Sequence, residues 1–295
     1  MKTLSYSIDH ASRTDTFNLY LIGDMHLGAE ACDEALLTKT IEEIRADPTA
    51  YVIIMGDVVD GIGITGSDKR SDSRTLAKWA RAALAEDADI FLAERDRAVR
   101  VLSPIAGKII AWLAGNHETA IEKHRGFNVY WDMVSRVCDY AGRNPADVAL
   151  GYEGFIRLSF NRLKPNSKPA IWTMIIYAHH GFGGGKLPGS HANNMFHLMG
   201  TYAADLHAMG HTHTMVSVPR QIVEAGRGGQ QATQYTRWGV VTGSFLKAHL
   251  EPSKSGKPRN SYAQEKGLSP LPINFPIIHI DPDSKSYDIT LRSKR

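Results

Sequence analysis

The stretch Tyr51-Val52-Ile53-Ile54-Met55-Gly56-Asp57-Val58-Val59-Asp60 joins a short apolar run to a carboxylate through one glycine. Tyr51 to Met55 reads as a buried strand, since a brief continuous apolar run bounded by turn residues suits a strand covered on both faces. Gly56 permits a tight turn after it, which delivers Asp57 at the strand's C-terminal end. Upstream, Asp33 can cap a helix to about Ala46, with Leu36, Leu37, Ile41 and Ile44 on one face and Asp47-Pro48 ending it. Before that, Leu4 to Ile8 and Phe17 to Ile22 read as strands around a turn-like Asp9 to Asp15.

Downstream, Ser67 to Arg74 is polar and without periodicity, and reads as a surface loop. A long helix is expected from about Arg74 to Ser103, where Trp79, Leu84 and Phe91 form an apolar stripe facing the core or a partner. Lys108 to Ala114 is a further apolar strand, and Asn128 to Tyr140 an amphipathic helix. Phe155 to Phe160 and Ile171 to Ala178 read as strands around a polar turn at Asn161 to Lys168. Leu206 to Met209, Met215 to Val223, Trp238 to Val241, Ile277 to Ile280 and Tyr287 to Leu291 continue the β pattern. Glu251 to Asn260, rich in Lys, Ser, Pro and Gly, reads as a loop. Strands alternating with helices, then mostly strands, indicate an α/β fold with a mixed sheet layered by helices. No repeat or linker divides residues 1–295, so a single domain is expected.

Five motifs follow one another: Asp24-Met25-His26, Gly56-Asp57-Val58-Val59-Asp60, Gly115-Asn116-His117-Glu118, His179-His180-Gly181 and Gly210-His211-Thr212-His213. Each carries hard oxygen or imidazole donors, and most follow an apolar, strand-like run. That is a ligand inventory for two divalent cations. Asp24 and His26, two residues apart on an extended chain, point the same way and can grip one cation; His211 and His213, separated by one residue, again share a face. The two oxygens of Asp57 can bridge cations about 3.5–4 Å apart. Asp60 is better placed to orient a neighbour. Asn116 offers a neutral carbonyl oxygen, and Glu118 could hold His117 in one tautomer. His179 and His180 are alternatives at the fourth motif. Gly183-Gly184-Gly185-Lys186 can present N–H groups and charge to an anion, or be a plain flexible loop. His10, His191, His197 and His207 are expected to be structural or exposed, although His191 and His197 follow the glycine loop and could touch substrate.

These motifs, in this order, resemble those of the calcineurin-like metallophosphoesterases. The resemblance implies a four-layer αββα sandwich of two mixed β-sheets flanked by helices, with the site at the strand C-terminal ends. It implies two divalent metal ions, Mn²⁺ first among Mn, Fe, Zn, Ni, Co and Mg. One would be held by Asp24, His26 and His213, the other by Asn116, His211 and the His of motif four, with Asp57 joining both. A His just after the strand and followed by Gly favours His180; the variant pattern His, any residue, then Gly or Pro favours His179. His180 is the expected ligand. The resemblance gives His117 the task of protonating the leaving oxygen or stabilising the transition state, while a bridging water or hydroxide attacks phosphorus in line.

Departures bear on the substrate. Protein phosphatases of this superfamily carry GDxVDRG and GNHECR; here Gly61 and Thr119-Ala120 stand in place of the arginine-bearing positions, which counts against protein dephosphorylation. Asp24-Met25-His26-Leu27-Gly28 resembles the DxHLG of repair nucleases that partner SMC-like ATPases, and also the start of UDP-2,3-diacylglucosamine hydrolases. Thr242 to Leu246, Tyr262 to Gly267 and Pro270 to Pro272 resemble a phage and bacterial group of calcineurin-like phosphoesterases. The expected activity is hydrolysis of a nucleotide or nucleic-acid phosphodiester. The alternatives are a phosphomonoesterase or pyrophosphohydrolase on a small metabolite, and a catalytically silent metal-binding scaffold.

Composition sets bounds on partners. The 295 residues are 43% hydrophobic, enough for a large core, and the formal charge of +3 is too small to argue for nucleic acid by itself. Lys123, His124, Arg125 and Lys186 lie near the motifs but could equally be solvated surface charge. Cys32 and Cys138 form no CxxC pair and suit two buried thiols in a reducing compartment. Met1 to Asp24 has neither an apolar core region nor a cleavage pattern, and no run approaches about 20 apolar residues, so no secretory signal, no membrane span and a cytoplasmic protein are expected.

Overall fold

The computed structural model describes residues 1–62, 75–86, 89–163, 169–185, 187–225, 231–250 and 273–293. The two loops expected at 67–74 and 251–260, Lys186, the tail motifs at 262–272 and most of the turn at 161–168 lie outside the described residues. Among the described residues, twelve strands form two six-stranded sheets. One sheet contains β1 (Lys2–His10), β6 (Glu153–Arg162), β7 (Ala170–His179), β8 (Leu206–Met209), β10 (Ala232–Val241) and β9 (Val216–Ala225), in that spatial order. The other has β12 (Ser286–Ser293), β11 (Asn274–Asp281), β2 (Phe17–Ile22), β3 (Ala50–Ile54), β4 (Ile109–Leu113) and β5 (Ala149–Gly151). Both sheets are mixed. β2, β3 and β4 run parallel in one, and β7, β8 and β10 in the other.

The sheets pack face to face. Leu19, Leu21, Ile53, Ala111 and Leu113 from one meet Ile156, Leu158, Phe160, Ile176 and Ala208 from the other in a continuous buried cluster. Alternate residues of β2 and β3, Tyr20, Ile22, Val52 and Ile54, face outward into a second cluster. This is why these strands read as unbroken apolar runs: both faces are covered. The outer cluster is roofed by α1 (Glu34–Ala46), α2 (Lys78–Ala85), α3 (Ile90–Leu102) and α5 (Val129–Asp139). On the far side, α6 (Pro188–Thr201) lays Met195, Leu198 and Met199 over Tyr177, Met209 and Val241. The layers are therefore helix, sheet, sheet, helix, the four-layer α/β sandwich of the sequence reading.

Local chemistry accounts for the boundaries. The Asp33 side chain accepts from Leu36 N at 3.2 Å and starts α1. Asn128 does the same for α5, accepting from Trp131 N at 2.8 Å. The helix expected from Arg74 to Ser103 is two helices. Asp89 accepts from Phe91 N and Leu92 N and caps a new start, which a propensity reading of an Ala- and Asp-rich stretch runs through. Phe91 of the stripe is buried, and Trp79 and Leu84 are half-buried against the same core, so this face turns inward. One strand and two α-helices were not anticipated: β5, α6 and α4 (Asn116–Arg125). The sequence of α6 contains two glycines and a proline at its first helical position, which hides its periodicity. Cys32 and Cys138 are buried and unpaired. Among the described residues, no helix is long and apolar enough to cross a membrane.

Phe160 is fully buried between the sheets, at the end remote from the β7 and β8 C-termini, with Trp172 stacked on it at 5.5 Å and Phe17 at 5.3 Å. Phe160→Ala is expected to cost about 3–5 kcal/mol, read as a lower urea midpoint with an unchanged slope.

Candidate metal centre

Six parallel strand ends meet at one edge of the sandwich, and each continues into a site loop. β2 leads to Gly23-Asp24, β3 to Gly56-Asp57, β4 to Gly115-Asn116-His117, β7 to His180, β8 to Gly210-His211-Thr212-His213 and β10 to Thr242. The first two loops are zipped together. Asp24 N donates to Gly56 O, Met25 N and His26 N to Asp57 O, and Leu27 N to Val58 O, while Asp60 N returns to Leu27 O, all within 2.8–3.1 Å. The chain after β10 closes the circle, with Phe245 N donating to Asp24 O at 3.1 Å.

Asp24, His26, Asp57, His211 and His213 all have positive φ, from 48° to 70°. Among the described residues, Lys285 is the one other non-glycine residue with positive φ. Left-handed backbone is strained for these side chains, at about 1–3 kcal/mol each, and persists only where the surroundings hold it. Close packing of the loops supplies that hold. A Cβ on Gly115 would lie 2.0 Å from Asp57 Oδ1 and 2.2 Å from Asp57 N, so only glycine lets these loops touch.

The side chains gather into two groups. In the first, His26 Nε2 is 3.1 Å from His213 Nε2, and His213 Nε2 is 3.4 Å from Asp24 Oδ1. In the second, His180 Nε2 is 3.0 Å from Asn116 Oδ1 and His211 Nδ1 is 2.7 Å from it. Asp57 Oδ2 stands between them, 3.9 Å from His26 Nε2 and 3.3 Å from His180 Nε2. Asp24, His26, Asp57 and His180 are buried.

This donor set fits cations. Donors bonded to one cation at about 2.1 Å are separated by about 3.0–3.4 Å in octahedral or tetrahedral arrangements; four of the six spacings above fall there, with His211 to Asn116 shorter at 2.7 Å and His26 to Asp57 longer at 3.9 Å. His180 Nδ1 donates to Met55 O at 2.7 Å, which leaves a neutral ring with a lone pair at Nε2 aimed at two oxygens. Such an arrangement repels unless positive charge lies there. The titration behaviour agrees. Burial opposes a charge on His180, but its hydrogen bond and attraction to Asp57 prevail and push it up to about 9. His213 is also raised, by Asp24 against desolvation, whereas burial and neighbouring imidazoles lower His26 and His211. Asp57, though desolvated, is held well below the usual carboxylate range by His180, His117 and His26.

The remaining motif residues have separate tasks. His117 N donates to Asp57 Oδ1 at 2.9 Å, and its Nδ1 bonds the Asp60 carbonyl oxygen. Its ring lies edge-on to His26 at 4.6 Å. The tautomer of His117 is therefore set by Asp60, not by Glu118 as the adjacent sequence suggested. Glu118 is buried and receives Gly115 N, Asp57 N, Val58 N and Val59 N at 2.6–3.3 Å. Asp60 Oδ1 lies 3.4 Å from His26 Nδ1. His179 is not in either group: its Nδ1 accepts Gly181 N at 2.8 Å and its ring meets Tyr152 and Phe182. His191 is buried in α6, His197 is exposed on it, His207 is buried with Nε2 against Tyr202 O, and His10 packs beside Phe17. Lys123, His124 and Arg125 are exposed at the end of α4.

Two site residues have no motif signal. Tyr152 donates to Gly181 O at 3.3 Å and sets its ring edge-on to His180 at 5.2 Å; burial and the charges of Asp57 and Asp24 push its hydroxyl up to about 12. Glu94 of α3 reads in sequence as an ordinary helix-surface acid, yet it is fully buried behind Asp60 and Gly61.

The sequence of residues 17–215 matches the family model of calcineurin-like phosphoesterases. No curated protein matches the chain. Among solved structures it is similar to a metallophosphoesterase from Sphaerobacter thermophilus, at 12% identity over 95% of this chain and 90% of that one, with a TM-score of 0.36. A conserved protein of Streptococcus pneumoniae described as a predicted phosphoesterase is 11% identical over 95% and 99% of the two chains, TM-score 0.33. The NAD nucleotidase of Haemophilus influenzae is 10% identical over 95% of this chain and 49% of that chain, TM-score 0.36. The assignment rests on the sequence match, not on these likenesses. With that match running through every motif-bearing strand end from Asp24 to His213, the chain belongs to the calcineurin-like phosphoesterase family, whose members are metal-dependent phosphoester hydrolases.

Proposed function

We propose that the protein is a two-metal phosphodiesterase that hydrolyses a nucleotide or nucleic-acid ester. The observation that carries this reading is the position of Asp57 Oδ2, facing His26 Nε2 on one side and His180 Nε2 on the other. Asp24, His26 and His213 would hold one cation and Asn116, His180 and His211 the other, with Asp57 common to both. Bound there, two divalent cations supply Lewis acidity, activating water near neutral pH and neutralising charge on phosphoryl oxygens. Mixed imidazole and carboxylate donors suit Mn, Fe, Zn, Ni or Co, and Mn²⁺ is the metal proposed first.

His117 is the proposed acid. Its Nδ1 proton is engaged by the Asp60 carbonyl, so Nε2 is the position that gains and gives a proton. Protonated there, it can donate to the departing oxygen of the ester. Asp57 Oδ1, bonded to His117 N, keeps this ring in register with the ligands. Charge favours a diester. A monoester dianion demands more neutralisation than a diester monoanion, and glycine and Thr119-Ala120 stand where arginines would supply it.

Three outcomes check the reading. Metal-stripped protein given Mn²⁺ is expected to cleave bis-p-nitrophenyl phosphate faster than p-nitrophenyl phosphate, with no turnover by folded Asp57→Asn or His211→Ala. A monoester preference would move the substrate to small phosphorylated metabolites, and bound metal without cleavage of any phosphoester would leave a scaffold. His117→Ala is expected to lower kcat about 10²–10⁴-fold while retaining its metal. Metal affinity is expected to rise from pH 6 to 9: burial opposes a charge on His180 but Asp57 pushes it up to about 9, so a cation must displace its proton, and raising the pH removes that competitor. Titration calorimetry in buffers of different ionisation enthalpy would register the released proton.

A further inference from the structure

Three buried side-chain atoms without a hydrogen-bond partner lie behind the metal centre: His26 Nδ1, Asp60 Oδ2 and Glu94 Oε1. Buried polar atoms are normally satisfied, so this cluster requires a physical account. Glu94 is fully buried on α3 and is drawn into the loops that carry the ligands. Its Oε2 accepts Gly61 N at 2.9 Å, next to Asp60. Its Oε1 presses on Gly28, two residues beyond His26, where a Cβ would lie only 2.0 Å away and φ is +115°. The Glu94 carboxyl is thus wedged between the two zipped loops.

We propose that Glu94 is a positioning residue of the metal centre, whose carboxyl group hydrogen-bonds toward Asp60 and through it fixes the His26 imidazole with Nε2 turned to His213 and Asp57. The donor and acceptor inventory follows from the geometry. Oε2 already accepts the Gly61 N–H, so a proton on Glu94 belongs on Oε1, the unpartnered oxygen. Burial and the nearby charge of Asp60 both favour that neutral acid. Asp60 then has Oδ2 free to accept it and Oδ1 facing His26 Nδ1 at 3.4 Å. With Nδ1 carrying the proton, His26 Nε2 presents its lone pair to a cation. The bond to Gly61 N accounts for Oε2 but not for Oε1, the buried oxygen that an amide or apolar side chain would not leave unpartnered.

The inference rests on the proposed ligand assignment, and the test separates the two. Mn²⁺ is titrated into the metal-free wild-type chain, E94L, E94Q, D60N and the D60N/E94L double variant, with thermal unfolding of each. Wild type failing to bind two equivalents would remove the ligand assignment itself, and this inference with it. Given binding, E94L is expected to weaken Mn²⁺ at least about tenfold. E94Q, which keeps a donor and an acceptor, should remain within about threefold of wild type, and the double variant should bind no more than about twofold worse than D60N alone. Wild-type affinity in a folded E94L, E94Q as weak as E94L, or multiplying effects of D60N and E94L would each overturn the proposal. Should E94L not fold, nitrogen NMR of histidine-labelled, metal-free wild type decides. The proton of His26 is expected on Nδ1, and finding it on Nε2 would overturn the proposal.

Discussion

A single buried carboxylate fixes the relation between two strand ends on which the rest of the centre depends. Glu118 receives backbone N–H groups from Gly115 on the β4 loop and from Asp57, Val58 and Val59 on the β3 loop. Hydrogen bonds to an ionised acceptor are stronger than neutral ones, and here they satisfy four donors at turns that no sheet ladder could pair. With these loops locked, Asp57 Oδ1 meets His117 N and Asp57 Oδ2 is left to face both imidazole groups. The side chain that joins the groups is thus aimed by a residue that touches neither.

The locked loops also carry the strain. Five candidate ligands have left-handed backbone, and all follow or lie within glycine-led turns at strand ends. The conformations of Asp24, His26 and Asp57 are held by the ladder between residues 24–27 and 56–60 and by the return of the chain through Phe245, while His211 N donates to the Asp24 carboxylate. Phe245 is itself buried and stacked on Phe275, so the outer core is mechanically continuous with the centre. The fold thereby holds the donors close through backbone contacts, which reduces the ordering cost of binding a cation.

Electrostatically, the centre balances buried carboxylates against imidazoles. Asp24 and Asp57 raise His213 and His180, while neighbouring imidazoles lower His26 and His211. Protons and divalent cations answer the same demand for positive charge in this pocket, and they compete for it.

Much of this was legible along the chain. The apolar runs before Asp24, Asp57, Asn116 and His211 announce strands covered on both faces, and the ligand chemistry sits in the few residues after each. Asp33 and Asn128 announce their helices because capping is a local interaction. Other features depended on partners remote in sequence. The division of the 74–103 helix turns on a cap at Asp89 that competes with an otherwise helical composition. The tautomer of His117 is set by the carbonyl of Asp60, not by its neighbour Glu118. The choice of His180 over His179 comes from the family resemblance, since adjacent, chemically identical side chains do not discriminate by themselves. At the end of β7 successive residues point to opposite sides: His180 turns to Asn116 and Asp57, and His179 to Tyr152 and Phe182. The burial of Glu94 was hidden for the same reason, because a helix sequence states which face is apolar but not which loops will close over an acid. The sequence by itself determined the type of most elements, the layered α/β class and the inventory of donors, all consequences of local periodicity and residue chemistry. Only the tertiary structure decided which donors converge, which atoms they present and which acids lie behind them, because those depend on how two sheets stack and bring distant strand ends within hydrogen-bond range.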